Sequence, residues 1–256
     1  MAVLEQQQFQ QLEALDGQDL PEIESILTEE LDAVDIAHII ESTPDRVRKD
    51  LWQFLPENLK GEVASHLGDD LQLEFLAAMS PEQVVISTQE LDSDDLTDIL
   101  QQLPEEHRNL ILHSMEPEDR REVEELLAWP EDTAGGLMNP DLIRVRANVT
   151  LDVILRFLRR QNDLPDQFDY IFVVNRNDQY VGVLPLHVLV TADPESTVRE
   201  VMNSDIEGIP ANTDDMEVAQ LFAKHDLLSA PVVDESGVLL GQITIDDIVD
   251  VIQEDA

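Results

Sequence analysis

A short pattern occurs twice in the C-terminal half of this chain, and the repeat limits what that half can fold into. Met138-Asn139 matches Met202-Asn203, and Ala147-Asn148 matches Ala211-Asn212, both 64 residues apart. Val173-Val174-Asn175 matches Val232-Val233-Asp234, and Gly182 matches Gly241, both 59 apart. The difference is a longer loop after the first helix, at QNDLPDQFD. The second copy reads as a Met-Asn start and a helix from Asp214 to about His225. The strand APVV (Ala230 to Val233), the turn DESG, the strand LLGQITI and a closing helix follow. Two tandem β-α-β-β-α units are therefore expected to pack together and leave clefts between them.

The N-terminal half repeats with another period. LDAVDIAHIIESTPDRVRKDL, Leu31 to Leu51, echoes LDSDDLTDILQQLPEEHRNLI, Leu91 to Ile111, with Asp35/Asp95, Ile39/Ile99 and Pro44/Pro104 all 60 apart. Pro56, Pro81 and Pro117, each followed by Glu, mark further helix starts. From about Asp19 to Trp129 this predicts short helices stacked in pairs as a superhelical array. The fold class is thus α + α/β: a helical N-domain (1–129), a junction (130–140), and two α/β units (141–193 and 194–256).

Charge narrows the function. The chain has 15 basic and 56 acidic residues, a net −41, beside 43% hydrophobic residues. It can build real cores, but its surface repels nucleic acid and anionic membranes. Cations, a basic protein partner or adaptation to salt remain. The charge is uneven: −25 over 1–129, −3 over 130–193 and −13 over 194–256, so the two flanks need counterions if they touch. Without cysteine there is no disulfide and no thiolate metal site. The longest uncharged stretch near the middle, QYVGVLPLHVLVTA, is 14 residues long and falls short of the ~18 needed to cross a bilayer. With no signal-peptide pattern at the N-terminus, a cytoplasmic location is expected.

The closing segment ITIDDIVDVIQEDA carries the acidic theme furthest. Asp246, Asp250 and Glu254 recur at i, i+4, i+8 and share one helix face, with Ile245, Ile248, Val249 and Ile252 expected to face the core. A row of like charges is destabilising by a few tenths of a kcal/mol per pair, which a hard divalent cation would offset. A solvated face favoured by the helix N-terminus is the plainer alternative. In the N-domain, Asp94 and Asp98 also lie at i, i+4, and Glu62 is expected to open a late helix.

The tandem module resembles a CBS-domain pair. The linker PEDTAGGLMNP, Pro130 to Pro140, resembles the junction of MgtE magnesium transporters, whose order of domains covers nearly the whole chain. The resemblance implies magnesium ions shared between the N-domain and the second CBS domain. The matching N-domain positions are Glu62, Asp94, Asp95 and Asp98. On the other side stand Asp214, Asp226, Asp246, Asp247, Asp250 and Glu254, with the Gly136 carbonyl at the junction. Met216 stands where an acidic residue is expected. The resemblance further implies a homodimer through the CBS domains and a transmembrane pore domain downstream. It also implies an ATP or adenine-nucleotide site using Tyr170, Thr244 and Asp247. The first copy departs from that nucleotide pattern, with Pro185 and Val188 at the Thr and Asp positions and His187 beside them.

Nothing points to an enzyme. The six histidines are scattered, and no His-Glu-x-x-His, Gly-x-Ser-x-Gly or Walker loop occurs. Three functions are weighed. The first is a magnesium-sensing regulatory region that closes on bound Mg2+ and opens when Mg2+ is low. The second is a freestanding adenine-nucleotide sensor, and the third a helical adaptor whose acidity reflects salt adaptation.

Overall fold

The computed structural model describes residues 31–89, 91–161, 164 and 168–254; for Asp69, Gln253 and Glu254 it describes the backbone only. The expected helical stretch before Leu31 lies outside these residues, as does most of the long loop after the first α/β helix. The chain divides into two compact units, 1–122 and 123–256.

Eight short helices begin in the first unit, counted among the described residues. They are α1 Ala33–Ser42, α2 Asp45–Phe54, α3 Glu57–Ser65, α4 Asp69–Ala77, α5 Pro81–Ser87, α6 Ser93–Gln102, α7 Glu105–Ser114 and α8 Pro117–Leu126. The 60-residue repeat survives in three dimensions, since α1, α2 and α3 begin 60 residues before α6, α7 and α8. Proline sets many of the starts. Pro44, Pro56 and Pro104 stand at the N-caps of α2, α3 and α7, and Pro81 and Pro117 are first residues of α5 and α8. A capping box closes α5, where Ser80 Oγ accepts from Gln83 N and the Gln83 side chain accepts from Ser80 N. One apolar face of each helix enters the core, as with Ile36 and Ile40 of α1 and Ile99 and Leu100 of α6. Trp52 stacks on Phe75, ring centroids 4.5 Å apart.

The second unit holds two three-stranded sheets. In the first, β1 (Arg144–Arg146) runs parallel to β2 (Tyr170–Val174), which pairs antiparallel with β3 (Tyr180–Pro185). Helices α9 (Leu151–Leu158), α10 (Leu186–Thr191) and α11 (Val198–Val201) accompany it. The second sheet repeats the order with β4 (Ile209–Pro210), β5 (Ser229–Val233) and β6 (Leu239–Thr244), beside α12 (Asp215–His225) and α13 (Ile245–Glu254). Each sheet backs onto its own core, one around Ile154, Ile171 and Leu184, the other around Val218, Phe222 and Ile243.

The duplicated residues tie the two copies together. Asn139 N donates to Gln242 O (2.7 Å) and Gln242 N to Asn139 O (2.9 Å), so the Met-Asn segment before the first copy borders the second copy's sheet. The reciprocal pair runs between Asn203 and Val183, both bonds at 2.8 Å. Gly241 and Gly182 exist for this crossing: a Cβ at Gly241 would lie 2.7 Å from Asn139 O, and one at Gly182 2.6 Å from Asn203 O. The hairpin tips follow the same symmetry, with Tyr180 N donating to Gly237 O (2.9 Å) and Leu239 N to Asp178 O (3.1 Å). Between the copies, Phe172, Val183 and Leu239 are buried beside Tyr180 and Ile206. The Tyr180 hydroxyl donates to Ile206 O (2.8 Å), and burial, followed by the neighbouring Tyr170, raises it well above the usual tyrosine range.

Two expectations need correction. Glu62 lies in the second half of α3 and does not open a helix. On α13, Ile248 and Val251 face the core, whereas Ile245, Val249 and Ile252 are 38%, 44% and 50% exposed. The apolar residues of this helix span an arc of about 160°, and only the Ile248–Val251 side of it is buried.

Candidate metal and nucleotide sites

The candidate carboxylates of the first unit lie on α3 and α6. Glu62 is exposed on α3. Asp94 and Asp95 sit in the first turn of α6, where the helix N-terminus favours negative charge. Asp94 and Asp98 share the predicted spacing, but Asp94 is buried while Asp95 and Asp98 are exposed.

In the second unit, Asp214 is the exposed N-cap residue of α12. Asp215 Oδ1 accepts from Met216 N (2.5 Å), so the residue beside the unexpected methionine braces the helix start. Asp226 caps the other end of α12 in the left-handed region, φ 51° and ψ 44°, with its N–H on Phe222 O. Glycine is the usual residue there. Asp226→Gly is therefore expected to stabilise the fold by about 0.5–1 kcal/mol, raising the melting temperature, while weakening any response to Mg2+. A thermal melt and a Mg2+ titration of the variant check both halves.

Asp246 and Asp247 open α13. Thr244 N and Thr244 Oγ1 donate to Asp247 Oδ2 at 2.8 and 3.0 Å, and the hydroxyl also contacts Asp246 Oδ1. These carboxylates thus close the helix start, as in a capping box. Asp250 is exposed one turn on. The side chain of Glu254 lies outside the described residues. Gly136 is buried in a tight turn, its N–H donating to Thr133 O (2.9 Å), and a Cβ there would lie 2.5 Å from Pro130 O. The junction is bound to the second copy, with Ala134 N on Thr213 O and Gly135 N on Ala211 O, both 2.8 Å.

Among the described residues, no three acidic or histidine side chains converge into a metal-holding group. Exposed hard oxygen donors nonetheless suit Mg2+, which keeps most of its water and takes one or two carboxylates at a time.

A cavity of about 680 Å³ opens between the two copies, lined mostly by the first. Asp169, Tyr170, Pro185, Leu186, His187, Val190, Thr191, Asn203 and Leu228 line it. It has the size and largely apolar lining of a small-molecule site. Tyr170, singled out from the sequence, lines it; Thr244 and Asp247 do not. Asp169, Asn203 and Leu228 escaped the sequence reading. Their signal was the internal repeat, which pairs Asp169 with Leu228 and Asn203 with Asn139.

The chain matches the MgtE intracellular N domain over residues 31–132 and the CBS domain over 134–195 and 198–254. It is 36% identical over 247 residues to the magnesium transporter MgtE of Thermus thermophilus, covering 95% of this chain and 55% of that protein. The MgtE of Bacillus subtilis is 29% identical over 228 residues, covering 89% and 51%. The chain thus spans about half the length of these relatives. Among solved structures it resembles the cytosolic domain of the Mg2+ channel MgtE in complex with ATP, with TM-score 0.85, 37% identity, and coverage of 93% of this chain and 97% of that one. It also resembles the soluble part of a magnesium transporter, with TM-score 0.82, 27% identity and coverage of 98% and 99%. With its paired-helix domain, its crossed CBS copies and these relatives, the chain belongs to the MgtE family and comprises the cytosolic N domain and CBS pair of that family.

Proposed function

We propose that this chain is the magnesium-responsive regulatory region of a magnesium transporter. Carboxylates of the helical unit (Glu62, Asp94, Asp95, Asp98) and of the second CBS copy (Asp214, Asp226, Asp246, Asp247, Asp250, Glu254) share hydrated Mg2+ ions, with the Gly136 carbonyl as a further donor. Abundant Mg2+ neutralises them and closes the two units on each other; scarcity leaves repulsion to part them. The observation that carries this reading is the presence of carboxylates at these positions on both units of a chain of net charge −41, in a family of magnesium transporters. By analogy with weak oxygen-ligand Ca2+ sites of about 10⁻⁴–10⁻³ M, such loosely shared sites suit a sensor of free Mg2+.

The same reading places a pore domain beyond this region and the region itself on the cytoplasmic side of the membrane. The protein pairs as a homodimer through its CBS copies, because α13 leaves Ile245, Val249 and Ile252 exposed in a row. Millimolar Mg2+ is expected to protect the segment joining the two units from protease, while K+ at matched ionic strength does not. Equal protection by both salts overturns the proposal and favours simple salt adaptation.

The cavity at Tyr170 supports a second, compatible role as an adenine-nucleotide site. Its volume and aromatic wall suit a base, and a relative was crystallised with ATP. ATP with chelator present is expected to raise the melting temperature; no shift overturns this reading and leaves the magnesium one standing. A freestanding nucleotide sensor would respond to ATP and not to Mg2+.

A further inference from the structure

We propose that an acidic, apolar face on helices α5 and α7 docks on the arginine-flanked face of α9 in a second copy of this chain. The contact goes beyond the magnesium and nucleotide readings and needs neither ligand. Helices α1, α3, α5 and α7 begin at residues 33, 57, 81 and 105, one every 24, and pack side by side in that order. The sixth residue of each is His38, Glu62, Ile86 and Leu110 in turn, and all four are exposed. This ridge is polar at one end and apolar at the other, where Ile86 is 50% and Leu110 59% exposed. One turn earlier on the same two helices stand Glu82 and Glu106, also exposed. Besides them, α5 and α7 carry Glu105, Arg108 and two histidines.

An apolar pair with carboxylates beside it repels its own image, because those carboxylates would meet face to face. The occupant that fits is apolar and cationic, and α9 is built that way. Val153 and Phe157, four residues apart, are each 46% exposed, with Arg156 and Arg160 exposed beside them. With Arg159, three of the chain's 15 basic residues fall within 156–160. Arg156 pairs with Asp152 on the surface, a weak bond that a partner's carboxylate can replace. A helix lying across α5 and α7 sets Val153 and Phe157 on Ile86 and Leu110, and turns Arg156 and Arg160 toward Glu82 and Glu106. The exposed apolar face of α13 is flanked by Asp246 and Asp250 and would add repulsion instead. An anionic lipid surface would attract α9 but repel the rest of a chain of net charge −41. The small area matches a weak, transient contact.

The chain has no cysteine, so single introduced cysteines report the contact. Full-length Leu110→Cys and Val153→Cys chains, distinguished by a size tag, are mixed with EDTA at low salt and oxidised with diamide. The mixed disulfide is expected to accumulate several-fold over either like-with-like product. Adding Arg156→Glu and Arg160→Glu to the Val153→Cys chain is expected to slow it about tenfold, toward the rate of a control with Gln53→Cys on α2 in place of Leu110→Cys. Glu82→Arg and Glu106→Arg on the Leu110→Cys chain are expected to restore it, and high salt to suppress it. Every substituted side chain is exposed, so the fold is kept. A mixed product no greater than the Gln53→Cys control, or one that ignores charge reversal and salt, overturns the proposal. A dominant disulfide between two Val153→Cys chains overturns it as well, because α9 then meets its own copy.

Discussion

Gly241→Val is expected to destabilise the CBS pair by about 3 kcal/mol and lower its melting temperature by roughly 10 °C. The glycine carries the crossing backbone of the Met-Asn segment, and a Cβ there would lie 2.7 Å from a carbonyl oxygen. No flexible side chain can yield, because the obstacle is backbone. Either β6 distorts or the two bonds between Asn139 and Gln242 break, leaving buried polar groups without partners. Gly182→Val, at the symmetry-related crossing, is expected to act in the same direction. The fluorescence of Trp129, which packs against the core of the second copy, reports the transition; Trp52 reports the helical unit separately. An unchanged Trp129 midpoint contradicts this account of the crossing.

The second large effect concerns assembly. Val249→Asp is expected to turn a homodimer into a monomer, weakening association by over a hundredfold. An unpaired charge buried in the middle of an apolar contact costs about 3 kcal/mol or more. The position is exposed within one chain, so the fold itself is unaffected. Light scattering reads the change directly, from twice the chain mass of 28.9 kDa to that mass. A variant that stays dimeric places the contact elsewhere, and a wild type that is monomeric at tens of micromolar removes it.

That stripe was not legible in the sequence. Residues 245, 248, 249, 251 and 252 are all apolar, and periodicity cannot choose which arc of such a helix meets the sheet. The cavity was hidden for a different reason. A Thr followed three residues later by Asp reads as a nucleotide signature and equally as a capping pair, and in the second copy Thr244 and Asp247 close the helix. The first copy, which breaks the pattern at Pro185 and Val188, lines most of the open cavity. What the residues did reveal were features fixed by backbone chemistry: prolines at helix starts, the 60-residue helical repeat, and paired glycines at equivalent crossings. The carboxylates were legible as residues. Their surroundings, such as the burial of Asp94 beside exposed Asp95 and Asp98, depend on packing between helices that no local pattern encodes.

The most direct test of a magnesium-driven closure is X-ray scattering of the whole chain, first with chelator and then with several millimolar Mg2+ at constant ionic strength. A smaller radius of gyration and a shortened maximum dimension with Mg2+, reversed by chelator, are the predicted result. Superimposable profiles under the two conditions contradict it.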